Sequence, residues 1–151
     1  MVLIRVFFIV IAFVLASGCT TITVRPVNNA LEIKHVCITD GQQMCLDGRM
    51  IGVIREGFER HGITTQVYTG NLPSQCEYNL SYMCEVTWDF VTYMKHAELR
   101  LYRGNAQTGY AEYHLKGAGG FSLMKWQGTK TKMDPVIDEL LSGRPIQGQS
   151  Q

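Results

Sequence analysis

The chain has 151 residues, and 14 lysines and arginines against 13 aspartates and glutamates give a net charge of +1. This balance excludes the basic surface with which proteins neutralise phosphates, so no nucleic-acid partner is expected. Hydrophobic residues make up 46% and charged residues 18% of the chain, a composition typical of a folded protein and not of a disordered one.

The segment from Met1 to Cys19 has the order of an export signal. Arg5 precedes an apolar run from Val6 to Leu15, and small residues follow the run. The run is about ten residues long, whereas a membrane-spanning helix needs about twenty, so a cleavable signal is favoured over a transmembrane helix. Loss of residues 1–18 would remove one charged residue, Arg5, and bring the charge balance to zero.

The end of this segment, Ala16-Ser17-Gly18-Cys19, resembles the bacterial lipobox, although the usual leucine is displaced by one position, to Leu15. The resemblance implies that residues 1–18 are a signal peptide and that Cys19 carries acyl chains. Thr20 is not the aspartate associated with inner-membrane retention, which favours an outer-membrane lipoprotein facing the periplasm. Two or three acyl chains anchor a protein stably, where one binds reversibly. The alternative is an ordinary cleavable signal or a short membrane helix.

The rest of the chain divides into three parts. Residues 19–30 are interpreted as the lipidated cysteine and an extended, loosely held tether, because β-branched residues and Pro26 follow one another there. Residues 31–143 are expected to form a single globular domain, a size sufficient to bury a core. Residues 144–151 are expected to be a loose tail.

A strand-helix-strand unit opens the predicted domain. Leu31 to Ile38 is predicted to be a strand, and Ile63 to Tyr68 another. Between them, apolar residues at helical spacing predict a helix from Gly48 to His61, capped by Asp47 and stopped at Gly62. The short connection predicts parallel strands joined by a right-handed crossover.

A long alternating stretch follows, from Cys76 to Phe90, and predicts a strand with one apolar face. Its aromatic stripe is predicted to lie in the core under the helices, with a ligand groove as the alternative. The stripe consists of Tyr78, Tyr82, Trp88 and Phe90.

Two further strands are predicted to form a hairpin with a loop of five residues, Arg103 lying opposite Gly109. This register places Glu98 opposite His114 and Arg100 opposite Glu112. A shorter loop, Gly104-Asn105-Ala106, would set Glu98 against Glu112, and like charges directly opposite each other are unfavourable.

The last predicted element is a helix that begins with Asp134 as cap and Pro135 in its first turn, or earlier near Thr129, and ends near Gly143. The predicted fold is therefore α+β, a mixed, mainly antiparallel sheet of about five strands with two helices packed on one face. The predicted order is strand, helix, strand, strand, strand, strand, helix.

Five cysteines include Cys19, and an even remainder in an exported chain predicts disulfides. Cys76 and Cys84 would lie about 27 Å apart on one straight strand, so they cannot pair with each other. Two bridges would join Cys37 with Cys76 and Cys45 with Cys84, or Cys37 with Cys84 and Cys45 with Cys76. The first arrangement is favoured because Cys76 is next to a turn; one bridge and two buried thiols is a further alternative.

No assembled catalytic set or metal site is predicted. The histidines lie on separate elements without ligand spacing, and each is interpreted as solvated or strand-face histidine. Gly117 to Gly120 lacks the lysine and hydroxyl of a phosphate loop, and Ser122 lacks a nucleophile context. An enzyme would be reconsidered only if a histidine of the hairpin met a glutamate in a cleft. The four histidines are His35, His61, His96 and His114, and the glutamates of the hairpin are Glu98 and Glu112.

Five segments carry a family resemblance: Arg55–Gly62, Cys76–Tyr78, Ala97–Leu101, Ala111–Leu115 and Lys130–Leu141. In them the chain resembles an uncharacterised family of small proteobacterial outer-membrane lipoproteins. The resemblance implies an envelope location and a single domain, fits a Cys37–Cys76 pair, and supplies no catalytic residue.

The function predicted from the sequence is a non-enzymatic, lipid-anchored envelope protein that acts as an accessory or interaction module for another envelope component. Its expected partners are the membrane, through acyl chains on Cys19, and an envelope protein. No cofactor is expected. The alternative is a binder of a small lipid or glycan fragment that uses the aromatic strand face.

Overall fold

The computed structural model describes residues 20–40, 45, 48–116 and 123–142. Cys19, Asp47, the glycine-rich segment 117–120, Ser122 and the tail 144–151 lie outside the described residues, so the predictions about them stay predictions. The elements are β1 (Thr20–Arg25), β2 (His35–Thr39), α1 (Arg49–Arg60), β3 (Thr64–Tyr68), β4 (Tyr78–Asp89), β5 (Val91–Arg103), β6 (Ala106–Leu115), a short 3₁₀ turn (Leu123–Trp126) and α2 (Thr129–Leu140).

The six strands form one mixed sheet in the order β1-β6-β5-β4-β2-β3. β2 runs parallel to both β3 and β4, and the other pairs are antiparallel. The α+β class, the mixed sheet, the two helices and the parallel strands on either side of α1 are confirmed.

The N-terminal segment differs from the prediction. Thr20–Arg25, expected to be a loose tether, is strand β1 and pairs antiparallel with β6 from Thr20 opposite Leu115 to Arg25 opposite Tyr110. Its alternating threonines and branched residues suit an edge strand, and Pro26 follows where the pairing stops. The folded domain therefore begins by Thr20 rather than at Leu31.

α1 matches its predicted range closely. Ile54 and Phe58, one helical turn apart, are fully buried, and Gly62 follows the helix with φ +71°. The N-cap position is held by Gly48, with φ +68° and no side-chain capping bond.

α2 follows the earlier of its two predicted starts. It begins at Thr129, so Asp134 and Pro135 lie inside the helix, and Asp134 is not the cap. Met133, Val136, Ile137 and Leu140 are buried, as the apolar spacing predicts.

The core lies between the two helices and the inner face of the sheet. On β5 and β6 the inward residues are fully or almost fully buried because side chains alternate across a strand. They are Ala97, Leu99, Leu101, Ala111, Tyr113 and Leu115.

The long aromatic strand does not keep one buried face along its whole length. Tyr78 and Tyr82 are in the core as predicted, but Trp88 is 72% exposed and Phe90 is 86% exposed. The pairing of β4 with β5 shifts between Glu85 and Val86, where Lys95 of β5 is an extra residue, and a bulge of this kind bends the strand that carries it and increases the local twist of the pair. The prediction that the whole stripe is core is therefore wrong beyond the bulge.

Candidate functional site

Four polar side chains form a square on the outer face of the sheet, opposite the helices. His96 lies opposite His114, and Glu98 lies opposite Glu112, on the paired strands β5 and β6. Because side chains two residues apart share a face, each strand contributes one histidine and one glutamate to the same patch. We call these four residues the outer-face cluster.

The side chains of the cluster are in contact. The Nε2 atom of His96 is 3.1 Å from Oε1 of Glu112 and 3.5 Å from Oε1 of Glu98. The His96 and His114 rings meet edge to face, with centroids 5.4 Å apart. The His96 side chain is 15% exposed and that of Glu98 is 12% exposed, so the cluster is only partly hydrated.

The predicted hairpin register is wrong here. The turn is Gly104-Asn105, and Thr108 is an extra residue where the pairing shifts between Leu101 and Tyr102. Glu98 therefore faces Glu112, the like-charge arrangement that a five-residue loop would avoid. The prediction that the histidines stay apart is also wrong for His96 and His114, although both are strand-face residues as expected.

Neighbouring side chains compensate the two carboxylates unequally. Arg100 forms an ion pair with Glu98, while the hydroxyl of Tyr110 donates to Oε2 of Glu112 at 3.3 Å. Burial raises the pKa of Tyr110, and the nearby Glu98 and Glu112 carboxylates raise it further.

The surface beside the cluster is shallow. A groove of about 110 Å³ is lined by Ser81, Tyr82, Met83, Glu98 and Arg100. It is too small for a drug-sized ligand, whose pockets hold roughly 300 Å³ or more.

The other two histidines have structural contacts. The prediction that each histidine is solvated or on a strand face is wrong for His61, which is buried at the end of α1; its Nε2 lies 3.0 Å from Oδ1 of Asp138, which also accepts a bond from Arg60. His35 Nδ1 lies 2.8 Å from the Thr64 hydroxyl oxygen, which joins β2 to β3.

Two disulfides are present, as the even number of cysteines besides Cys19 predicts. They join Cys37 with Cys76 and Cys45 with Cys84, the first of the two arrangements considered, with Cα atoms 5.8 Å and 5.0 Å apart. Each closes a separation of 39 residues. The first joins β2 to the segment just before β4, and the second joins the segment between β2 and α1 to the middle of β4.

A second exposed feature is the turn between β4 and β5. The ladder continues to Asp89 opposite Val91, with Phe90 alone between them at φ +59°, a region that side chains other than glycine seldom adopt. Trp88, Phe90 and Val91 expose 72%, 86% and 59% of their surface. We call Trp88–Val91 the hairpin tip.

Two lysines contact the hairpin that carries the tip. Lys125, in the 3₁₀ turn, forms an ion pair with Asp89 and lies 5.2 Å from the ring centre of Tyr93. Lys132 of α2 is buried and donates from Nζ to the carbonyl oxygens of Met94 and Lys125 at 3.0 and 2.9 Å. Burial lowers the pKa of Lys132 to about 8.

The hairpin tip and the start of β1 lie at the same end of the sheet. β6 ends at Leu115, opposite Thr20, and β5 pairs with β6 only from His96 onward. The part of the hairpin before His96 therefore projects past the end of β6, by about 15 Å to Phe90 at the usual rise per residue.

Neither helix among the described residues has the length and hydropathy needed to cross a bilayer. No protein-family model matches the chain, and no curated protein does.

Solved structures do match. A PelC dodecamer from Paraburkholderia phytofirmans has a TM-score of 0.54 at 14% sequence identity, and the match covers 82% of this chain and 96% of that one. A dodecamer of a point variant of the same protein has a TM-score of 0.55 at 14% identity, with 82% and 95% covered. The chain shares the PelC fold. At this identity the likeness shows the fold alone.

Sequence reasoning missed the outer-face cluster and the hairpin tip for different reasons. The sequence shows that His96 and Glu98 share a face of β5 and that Glu112 and His114 share a face of β6. It does not show the bulge at Thr108, which brings His96 opposite His114 and Glu98 opposite Glu112. The sequence predicts a core position for the tip because Trp88 and Phe90 continue the apolar period of β4.

Proposed function

We propose that the chain is a non-enzymatic, lipid-anchored envelope protein whose hairpin tip rests in the same bilayer interface as the acyl chains on Cys19. The observation that carries the proposal is the position of Thr20 at the end of the sheet from which the hairpin tip projects. Cys19 is bonded to Thr20, with Cα atoms about 3.8 Å apart across the peptide, so its lipid would leave the domain at that end.

The chemistry of the hairpin tip suits a membrane interface. Tryptophan is enriched at the level of the lipid headgroups, where one part of its ring is in an apolar and another in a wet environment. Trp88 and Phe90 are the two most exposed large apolar side chains described. Asp89, the charged residue of the tip, is paired with Lys125, which lowers the cost of bringing it near the lipid.

The magnitudes assign different roles to the anchor and the tip. Full burial of one large apolar side chain contributes about 1.5–3 kcal/mol, so two aromatic residues give weak binding by themselves. Acyl chains contribute about 0.8 kcal/mol for each buried methylene and dominate the affinity. The tip therefore orients the domain on the membrane, and the lipid holds it there.

The part of the domain away from the membrane is left to meet another envelope component. The solved structures of similar fold are dodecamers. A second copy of the chain is thus the first partner to test, with fold likeness as its only basis.

The small-ligand alternative gains little support. Tyr78 and Tyr82 are each 5% exposed and belong to the core, and the groove of about 110 Å³ that Tyr82 borders is too small for a drug-sized ligand. A groove of about 290 Å³ lies beside the hairpin, between Val91–Met94 and Trp126–Thr129, with Arg49 at its border. Val91, a residue of the hairpin tip, is part of its lining, so the groove adjoins the proposed interface.

The test is acylation and fractionation in intact Gram-negative cells. The parent protein is expected to incorporate labelled palmitate and to sediment with outer membranes, while Cys19→Ala is expected to lose both. Palmitate incorporation that survives Cys19→Ala, or is never seen in the parent, would contradict the anchor.

Crosslinking in the same cells tests the interaction role. The expected product is a defined higher-mass species containing the chain. Recovery of only the monomer, under conditions that capture known envelope complexes, would count against an accessory role and leave the anchor unaffected.

A further inference from the structure

We propose that His96, Glu112 and His114 form a binding site for a divalent transition-metal ion on the outer face of the sheet. The ligand atoms of these three residues all lie within 4.8 Å of one another. This inference does not depend on lipidation or on the hairpin tip.

The distances are close to those of a metal site. Zn²⁺ binds imidazole nitrogen and carboxylate oxygen at about 2.0–2.2 Å, so two ligand atoms of a tetrahedral ion are about 3.4 Å apart. The Nε2 atom of His96 and Oε1 of Glu112 are 3.1 Å apart already. The ring nitrogen of His114 lies within 4.8 Å of both atoms, so a movement of at most about 1.4 Å would bring it to the ligand spacing and complete a three-ligand set with one open position, the arrangement of catalytic zinc sites.

The charge around the cluster favours a cation. Glu98 and Glu112 lie directly opposite each other, a pair that is repulsive unless positive charge lies between or beside them. Arg100 pairs with Glu98, and the contacts of Glu112 are with His96 and Tyr110. Arg100 balances the charge of Glu98, and a metal ion bound by Glu112 would balance the charge of Glu112.

The second oxygen of Glu112 is already oriented. Tyr110 donates its hydroxyl to Oε2, which leaves Oε1 directed toward His96. Hydrogen bonds of this kind to a ligating carboxylate fix its direction in metal sites. The ligands also sit on two paired strands and not on loops, which limits their movement.

The ligand types define the class of ion. Imidazole with carboxylate suits Zn²⁺, Cu²⁺, Ni²⁺ and Fe²⁺, whereas Mg²⁺ and Ca²⁺ take oxygen ligands. The partial burial of His96, at 15% exposed, leaves access from the open face of the sheet.

The experiment is a Zn²⁺ titration of the full-length, tag-free protein in detergent, after removal of metal with a chelator, read by competition with a chromophoric chelator. We expect one equivalent to bind per chain. His96→Gln and His114→Gln should each weaken binding by at least about tenfold, since even outer-shell changes have effects of that size. His35→Gln, a strand histidine outside the cluster, should leave binding unchanged.

Two further variants separate binding from folding and from thiol chemistry. Glu112→Gln keeps the shape of the side chain and its hydrogen bond to Tyr110 but removes the charge, so it should fold normally and bind more weakly. Cys19→Ala should bind as the parent does, because the other four cysteines are in disulfides. Co²⁺ loading should give visible absorption bands of low-symmetry nitrogen and oxygen coordination that His114→Gln loses.

Three results would overturn the site. The first is no saturable binding of Zn²⁺ to the parent. The second is binding that His96→Gln and His114→Gln leave intact. The third is an equal loss of binding in His35→Gln.

Discussion

Gly57 of α1 lies against Ile137 of α2 without room for a side chain. A Cβ atom at Gly57 would be 2.6 Å from Cγ2 of Ile137. Gly57→Ala should therefore destabilise the protein by about 1–3 kcal/mol through overpacking, although alanine is the better helix former. Chemical denaturation measures the change in the free energy of unfolding.

Gly52 in the same helix is the matched control. A Cβ atom there meets nothing within 4 Å. Gly52→Ala should stabilise the protein by about 0.5–1 kcal/mol, because alanine loses less backbone entropy in a helix. Equal effects of the two substitutions would mean that the helices are not in the described contact.

Asp138 is expected to matter more than its neighbour Asp134. Oδ1 of Asp138 is the partner of buried His61, and its loss would leave that imidazole unpaired in the core. Asp138→Ala should cost about 1–3 kcal/mol. Asp134→Ala removes partly exposed ion pairs to Arg60 and Lys130 and should cost less than about 1 kcal/mol. The reverse ranking of the two variants would refute this assignment.

The two disulfides should contribute similar stability. Each spans a sequence separation of 39 residues, for which the chain-entropy model gives about 4 kcal/mol. The paired variants Cys37→Ala/Cys76→Ala and Cys45→Ala/Cys84→Ala should show comparable losses in urea denaturation. If one pair can be removed without loss, the corresponding bond does not form in the native protein.

Lys132 should make stability depend on alkaline pH. Burial lowers the pKa of its ammonium from 10.5 to about 8, so above pH 8 the folded chain has lost a proton that the unfolded chain still holds. Stability should therefore rise with pH between about 8 and 10, by at most about 1.4 kcal/mol per pH unit for one proton. Above pH 10 the raised pKa values of Tyr82, Tyr110 and Tyr113 act in the opposite direction.

The measurement for Lys132 is the free energy of unfolding against pH in the Cys19→Ala background, which removes the thiol that could exchange with the disulfides. Lys132→Met keeps the length of the side chain and should flatten the rise between pH 8 and pH 10. A variant with the same slope as its parent would show that another group is responsible.

Local patterns were sufficient for the strand-helix-strand unit. The helical spacing of Ile54 and Phe58, the stop at Gly62 and the short connection to β3 all act within a few residues, so the sequence predicts this part well. The parallel pairing follows from the crossover.

Features that depend on distant pairing were not predictable. β1 is a strand because β6 lies beside it, and its partners are separated from it by about ninety positions in the chain. The outer-face cluster depends on one extra residue, Thr108, in β6. The like-charge rule failed for Glu98 and Glu112 because Arg100 pairs with Glu98 and the Tyr110 hydroxyl donates a hydrogen bond to Glu112 on the folded sheet.

The membrane orientation can be read from Trp88 directly. The chain has two tryptophans, so Trp126→Phe leaves Trp88 as the single fluorophore, and Trp88→Phe leaves Trp126. The lipidated full-length variants would be reconstituted into vesicles that contain lipids brominated at shallow or deep acyl positions. Quenching by bromine reports contact with lipid, and quenching by iodide reports contact with water.

Trp88 should emit at shorter wavelength in vesicles than in the Cys19→Ala protein free of lipid, be quenched most by the shallow bromines, and be protected from iodide. That result would place the hairpin tip in the interface beside the anchor. Emission from Trp88 that neither brominated lipid quenches and that iodide still reaches would contradict the proposed orientation.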